Sequence, residues 1–279
     1  MAVLGLFFAL LDSLSKAVDT LINKSIMRTR SAGEHAVLRI IFVIPLLFIA
    51  SLFNWSFSWG CVAYLIVYGL LEAANILFHQ LAVKRSNPLH IELISKSKVL
   101  FAMAMAFVLS IDTLSLGSVI GIIVFVVGAV LTINYQSRGD ERTDTVGIVM
   151  ETVSVLARTF KPFVLKTCVQ RELISNETMA FLSMVVALVA LVVAFRPRIA
   201  VKEVPVKQYF LQAAVVAAGM LLSGWAVIYA NIVIVNAIAS TSVIFVMLIS
   251  ALCFKKRYPA VTVAGCLLSV TGLAVSVIF

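Results

Sequence analysis

The sequence is a succession of apolar segments, each about as long as a helix that crosses a lipid bilayer. A hydrocarbon core about 30 Å thick requires about 20 apolar residues per helix. Charged and turn-forming residues divide the chain into ten such segments, which predicts ten membrane-spanning helices. We number them as predicted helices 1 to 10 and place them near residues 2–23, 36–53, 60–83, 89–110, 115–135, 146–168, 178–195, 208–231, 236–254 and 258–278.

The composition indicates a multi-pass membrane protein. Of 279 residues, 62% are hydrophobic and 13% are charged, whereas about a quarter of the residues of a soluble protein are charged. The formal net charge is +9, but the basic residues lie mostly in short links, so the expected surroundings are a lipid bilayer and no nucleic acid. The four cysteines are far apart in apolar segments, and we expect neither a metal nor a cofactor.

The two halves of the chain resemble each other, which indicates an internal repeat. The aligned stretches are 92–101 with 236–245 and 121–128 with 265–272 at a shift of 144 residues, and 5–25 with 147–167 at a shift of 142. Three stretches in the same order at nearly the same shift predict an all-α protein of two five-helix repeats, residues 1–137 and 138–279.

Basic residues in the links test how the two halves are oriented. Fourteen Lys and Arg lie in links that follow odd-numbered predicted helices, and few lie in links after even-numbered ones. Two five-helix repeats joined in sequence must face opposite sides of the membrane, so this bias favours an inverted repeat. The positive-inside rule predicts that the basic links are cytoplasmic and that both termini are outside.

Three segments carry a family resemblance. They are HAVLRIIFVIPLLF (35–48), with Arg39 near its start, and the glycine-spaced segments SLGSVIGIIVFVVGAVLT (115–132) and TVAGCLLSVTGLAVSVI (262–278). They are similar to the second helix and the two repeat-closing helices of EamA-type transporters, in the drug/metabolite transporter superfamily. Asp112 and Lys256 depart from the family, which usually has a glutamate in the link after the fourth helix of each repeat. The resemblance implies ten transmembrane helices in two inverted five-helix repeats.

The resemblance also implies a function. It points to a secondary active transporter that moves a small polar metabolite by alternating access in the cell (inner) membrane, as a monomer or homodimer. Six interior cations against five interior acids slightly favour a substrate with a negative group. Export or import of zwitterionic or cationic metabolites or drugs remains the alternative. From other classes, a membrane scaffold and an intramembrane enzyme remain open, although the sequence has no HExxH, GxSxG or GxGD motif and no enzymatic activity is expected.

Apart from Lys166 near the end of predicted helix 6, eleven charged residues lie within the predicted helices. Each would cost about 2.5–3.5 kcal/mol if it faced lipid without a partner. We therefore expect them to face each other or a water-filled cavity between predicted helices 1, 3, 4, 6, 8 and 9. Helical spacing gathers most of them into three polar stripes. These are Asp12, Lys16, Asp19 and Asn23 on predicted helix 1; Glu72, Asn75 and His79 on predicted helix 3; and Glu151, Ser154, Arg158 and Lys161 on predicted helix 6.

The candidate substrate-binding residues come from these stripes and from predicted helices 4, 8 and 9. They are Lys16, Glu72, Asn75, His79, Glu92, Lys96, Lys98, Arg158, Trp225, Tyr229, Asn236 and Ser240. Asp12 and Asp19 are candidates for proton coupling. Pairing of Asp12 with Lys16, four residues on, is an equally open structural role.

Four further residues have two readings each. His79 could relay protons, although a histidine near a helix end is more often a plain hydrogen-bond partner. Arg39 is expected to snorkel to the membrane interface. Trp225 and Tyr229 could form an aromatic wall for a ligand or an ordinary packing pair.

Lys96 and Lys98 need separate roles. They are two residues apart, about 200° around an ideal helix, so both cannot face one narrow cavity. Lys96 can reach Glu92 one turn earlier, so we predict that pair and expect Lys98 to meet the substrate. The second repeat has Ser240 and Ser242 at the matching positions, so the positive charge is specific to one half.

Overall fold

The structure is a computed structural model that describes residues 2–27, 31–101, 104, 116–136, 144–195, 204–230, 232–239, 241–255 and 257–278. These residues form eleven α-helices and a 3-10 turn at Trp59–Cys61. The helices are α1 (Ala2–Ile26), α2 (Ala32–Leu52), α3 (Val62–Arg85), α4 (Pro88–Ser95), α5 (Leu116–Gln136), α6 (Thr145–Gln170), α7 (Asn176–Phe195), α8 (Val206–Tyr229), α9 (Ile232–Ala239), α10 (Ser242–Phe254) and α11 (Ala260–Ile278).

Polar side chains at the helix starts fix several of these boundaries. Ser31 and Glu34 form a capping box at α2, in which each side chain accepts from the backbone N–H of the other residue. Asn87 accepts from Leu89 N at 3.0 Å and is followed by proline at the first position of α4. Such caps satisfy amides that the first helical turn leaves without partners.

Two of the predicted helices are broken within the described residues. Predicted helix 4 is represented by α4, a turn at 96–97, and helical backbone that resumes at 98–101. Predicted helix 9 is divided into α9 and α10, and it begins at Ile232, earlier than residue 236. The half-helices α4 and α9 are both eight residues long and start 144 residues apart, at Pro88 and Ile232. This spacing equals the shift that aligns the two halves of the sequence.

Four helical segments are long and apolar enough to cross a membrane: Ala32–Leu52, Trp59–Arg85, Asn176–Ala194 and Val206–Tyr229. Two others, α1 and α6, are 25 and 26 residues long but carry several charges. Those charges point inward, as Asp12 and Glu151 are fully buried, while large apolar side chains such as Phe7, Phe48 and Val193 are exposed. Buried charges and an apolar exterior are compatible with a membrane protein.

The helices pack in pairs that join the two halves of the chain. These pairs include α1 with α8, α3 with α6, α2 with α7, and α5 with α11, and α3 also packs on α7. In terms of the predicted repeats, the first helix of each half packs on the third of the other, the second on the second, and the fifth on the fifth. Two halves related by a two-fold axis would pair in this way.

We predict that Gly128→Ala destabilises the protein through the contact between α5 and α11. A Cβ atom at residue 128 would lie 2.5 Å from Ser269 N and 2.6 Å from Gly265 O. Both atoms belong to the backbone, so the helices must move apart, which costs about 1–3 kcal/mol. Gly60→Ala is the matched control, because its Cβ would meet its nearest neighbour at 3.6 Å. Thermal unfolding in detergent should show a lower Tm for Gly128→Ala; equal Tm values for the two variants would contradict the prediction.

Candidate functional site

A cavity lies inside the bundle, between α1, α3, α6 and α8 and the backbone that resumes at Lys98. Its volume is about 160 Å³, enough for several waters or a small solute. The wall formed by α7 and α8 carries neutral residues, among them Asn176, Gly219 and Ser223. The ionisable residues that line the remaining walls are Asp12, Lys16, Asp19, Arg39, Glu72, His79, Lys98, Arg158 and Lys161.

The structure brings together most of the predicted polar stripes and adds a residue of α2. Predicted helices 1, 3, 4, 6 and 8 contribute to the lining, as expected from the sequence, whereas no described residue of α9 or α10 does so. Arg39 does not snorkel: its side chain lines the cavity and donates to Asp19 Oδ2 at 2.6 Å. Asp19, on the polar stripe of α1, supplies the counter-charge for Arg39 inside the bundle.

Each acid of the cavity is paired with a cation. Asp12 pairs with Lys16, four residues further along α1, and Glu72 of α3 pairs with Lys161 of α6. The Lys161 ammonium also lies 5.1 Å from the centroid of the Tyr68 ring, a favourable cation–π distance. With Asp19 held by Arg39, the three lining acids are neutralised by three lining cations.

Lys98 is left over from this pairing. Among the described residues it makes neither an ion pair nor a hydrogen bond, although the charges of Lys16, Asp12, Lys96 and Arg158 are close. It is partly exposed and lines the cavity at the point where the helix resumes after the break. Among the described residues, the cavity therefore presents a lysine side chain without an ion-pair partner.

Lys96 has a different environment. It ends α4 as the C-cap residue, is 5% exposed, and is not among the described residues that line the cavity. The side chain of its predicted partner, Glu92, lies outside the described part of the structure. The two lysines are thus separated as predicted, and the Lys96–Glu92 pair stays a prediction.

A polar cluster in the cavity wall joins α3 to α6. Arg158 donates to Glu151 Oε1 at 2.5 Å and to Ser95 Oγ at 2.8 Å. The ring of His79 lies beside both, with Nδ1 2.8 Å from Glu151 Oε2 and 3.0 Å from Arg158 Nη2. Ser154 bridges to the Asn75 side chain at 3.0 Å. The stripes of predicted helices 3 and 6 therefore form one network.

A second network closes the end of the cavity where α1 and α3 end and α2 and α8 begin. We call it the Asn23 network: Asn23, His35, Gln80, Tyr209 and Gln212, all fully buried. Asn23 Oδ1 is the hub and contacts His35 Nε2 at 2.8 Å, Gln80 Nε2 at 3.2 Å and Gln212 Nε2. No role was assigned to Gln80, Tyr209 and Gln212 from the sequence. In the sequence they are marked only as neutral polar residues within apolar segments, and a neutral polar residue there indicates a functional site less strongly than a charged residue does.

Trp225, Tyr229 and Asn236 are not among the described residues that line the cavity. Trp225 donates to Glu177 Oε1 at 2.9 Å and packs on Phe8 with 5.5 Å between ring centroids. Tyr229 also contacts Phe8, at 6.3 Å, so the two aromatic residues form a packing cluster near the end of α8. Asn236 is buried in α9, and Ser240 lies outside the described residues.

Comparisons with known proteins give information on the fold alone. No protein-family model matches the sequence, and no curated protein matches it. Solved structures do match: one crystal structure aligns with 98% of this chain and 95% of its own, with a TM-score of 0.67 and 16% identical residues. The architecture is therefore a known fold that extends over nearly the whole chain.

Proposed function

We propose that the protein is a secondary active transporter that moves a small polar metabolite with a negative group across a cell membrane by alternating access. The observation that carries this proposal is the charged cavity, in which Lys98 has no counter-charge among the described residues. Ionisable side chains inside an apolar helical bundle typically mark substrate and ion pathways. An unpaired cation is a binding site for an anionic group.

The proposal includes ten membrane-spanning helices in two inverted EamA-type repeats, residues 1–137 and 138–279. Three observations support it: the equal shift between the half-helices α4 and α9, the paired packing of the two halves, and the position of Lys98 at a helix break. Transporters built from inverted repeats commonly bind their substrates where such discontinuous helices meet.

Alternating access requires a barrier on each side of the site, and the Asn23 network is the barrier on one side. It lies at the end of the bundle where α1 is followed by the link at 27–31 and α3 by the link at 86–87. Arg28 and Arg30 lie in the first of these links, and Lys84 and Arg85 end α3. The positive-inside rule places such basic helix ends in the cytoplasm. Release of the substrate on this side requires the ends of α1, α2, α3 and α8 to separate. The side chains of the Asn23 network would then form hydrogen bonds with water in place of those they form with each other.

The charge balance supports an anionic substrate over a cationic one. All three lining acids, Asp12, Asp19 and Glu72, are already neutralised by ion pairs. A cationic substrate would have to displace one of these partners, whereas an anion can approach Lys98 without breaking a pair. A scaffold protein would be expected to seal its ion pairs without a cavity, so the cavity favours transport over that alternative.

A thermal-shift experiment tests this proposal. Inorganic phosphate, succinate, glycine and choline are added separately to the purified protein, and a ligand of the folded state raises Tm by mass action, with about 2.7 kcal/mol of stabilisation at 100 times its Kd. We expect phosphate or succinate to raise Tm. Stabilisation by choline or glycine alone would overturn the preference for an anion, and no stabilisation by any of the four would favour the scaffold.

A further inference from the structure

The nitrogen Nδ1 of His79 has two neighbours, one of which can only accept a hydrogen bond and the other of which can only donate one. Glu151 Oε2 lies 2.8 Å from it and Arg158 Nη2 lies 3.0 Å from it. An ionised carboxylate only accepts hydrogen bonds, and a guanidinium only donates them. Nδ1 carries either a proton or a lone pair, so at any moment it can form one of these hydrogen bonds and not the other.

The two arrangements differ in whether Nδ1 carries a proton. With a bare Nδ1, neutral His79 accepts from Arg158, and Glu151 keeps its hydrogen bond from Arg158 through Oε1. When Nδ1 takes up a proton, the imidazolium donates to Glu151 Oε2, and Arg158 loses its acceptor while gaining a positive neighbour. Glu151 is fully buried and His79 is 7% exposed, so the competition takes place with little screening by water.

We propose that His79 binds the proton that drives the transport cycle, and that it does so at Nδ1 in competition with Arg158. This inference rests on the proposed function and names its coupling ion. The proton is taken from water in the cavity, which His79 lines, and is returned to water when the cavity faces the opposite side. Histidine suits this task because its charge changes between about pH 5 and 8.

Arg158 connects the proton to the proposed substrate site. Its Nη1 donates to Ser95 Oγ at 2.8 Å, and Ser95 is the last residue of α4, three residues before Lys98. A positive His79 pushes Arg158 away from the Glu151 side, towards the cavity and the helix break. Protonation therefore alters the charge that an anion meets beside Lys98.

No other ionisable group contacts His79 in the described part of the chain. The charged groups and histidines that are buried or line the cavity on the described segments around His79 are Asp12, Lys16 and Asp19 of α1, His35 and Arg39 of α2, Glu72 of α3, His90 and Lys96 at α4, Lys98 beyond the helix break, Glu151, Arg158 and Lys161 of α6, and Glu177 of α7. Asp12, Asp19 and Glu72 are held by Lys16, Arg39 and Lys161, and Glu177 is held by Trp225 and Asn54. Of the residues that the structure describes, only Glu151 and Arg158 are within hydrogen-bonding distance of Nδ1.

Nitrogen NMR of the histidines tests the proton site without any substrate. The chain has only three histidines, so ¹⁵N-histidine-labelled protein in lipid nanodiscs should give three resolvable rings, and the His79→Gln spectrum identifies the His79 signals. We expect neutral His79 to carry its hydrogen on Nε2 and to gain a proton on Nδ1 as the pH falls from about 8 to 5. A neutral His79 that keeps its hydrogen on Nδ1, or a ring that does not titrate in this range, would overturn the proposal.

Proteoliposomes test the coupling, with radiolabelled inorganic phosphate as the probe. We expect wild-type protein to accumulate phosphate when a pH gradient is imposed. His79→Gln should lose this accumulation by a larger factor than it loses phosphate–phosphate exchange, because no net proton moves during exchange. The comparison variant is Asp12→Asn, which removes the acidic proton candidate of α1. Gradient-driven accumulation that persists in His79→Gln and disappears in Asp12→Asn would assign the proton to Asp12 instead.

The two proposals can fail separately. If wild-type liposomes neither exchange nor accumulate phosphate, the anionic-substrate proposal fails for this probe, while the NMR titration still decides whether Nδ1 of His79 binds a proton. If phosphate exchanges but a pH gradient does not drive it, the transporter proposal stands and the coupling proposal is wrong.

Discussion

Lys98→Ser is expected to abolish transport while leaving a folded protein. Lys98 makes no ion pair or hydrogen bond among the described residues and lines the cavity, so its removal strands no partner there. A hydrogen bond to a charged group contributes about 1.5–3 kcal/mol, which corresponds to about a 10- to 150-fold loss of affinity for an anion. The substitution also copies Ser242, the matching residue of the second half. Proteoliposome uptake of phosphate and the thermal shift that phosphate produces should both report the loss.

Two control variants separate a binding effect from a folding effect. Lys207→Ser removes a lysine that is exposed on α8, and it should transport normally. Lys96→Ser removes a buried side chain at the end of α4, and it should lower yield and Tm because the site cannot be filled by serine. Normal transport by Lys98→Ser together with lost affinity in a stable Lys96→Ser would mean that the two lysines have the opposite roles.

The helices and their polar faces were predictable from the sequence because both follow from local spacing. Apolar segments of membrane-helix length gave eight of the described helices directly, and the spacing of Asp12, Lys16, Asp19 and Asn23 places all four on one inward face of α1. The helix breaks were not predictable. The stretches ELISKSKVLF and NAIASTSVIF contain neither proline nor glycine, and a side-chain hydrogen bond such as that from Thr241 to Ile238 O at 2.8 Å is a weak local signal.

Ion pairs between different helices were also not predictable from the sequence. Sequence spacing paired Asp12 with Lys16 because the two residues lie one turn apart on one helix. The pairs Glu72–Lys161 and Asp19–Arg39 join residues that are distant in the chain, so only the packing of α3 on α6 and of α1 beside α2 reveals them. For the same reason the sequence suggested snorkelling for Arg39 and could not show that Lys98 is left without a partner.

Glu151→Gln should produce the largest loss of stability of any single charge removal in the cavity region. Glu151 is fully buried and accepts from Arg158 at 2.5 Å. Glutamine has the same shape but no charge, so the substitution leaves a guanidinium that is 18% exposed without its counter-charge. Breaking a buried ion pair in this way costs about 3–5 kcal/mol, and we expect the lower end because the cavity admits water near Arg158. The measurement is the Tm and the midpoint of denaturant unfolding in detergent.

Asp144→Asn is the matched control for this loss. Asp144 pairs with Arg85 at 3.2 Å, but both side chains are about half exposed, at 44% and 50%, and such surface pairs contribute about 0–1 kcal/mol. Asparagine also preserves the cap on α6, so only the charge is lost. In Glu151→Gln/Arg158→Met both charges are removed, and most of the lost stability should return because no buried charge remains unpaired. If Glu151→Gln and Asp144→Asn unfold at the same temperature, water in the cavity solvates Arg158 and Glu151 does not hold it. The buried Glu151–Arg158 pair then does not fix the position of α6 next to the helix break before Lys98.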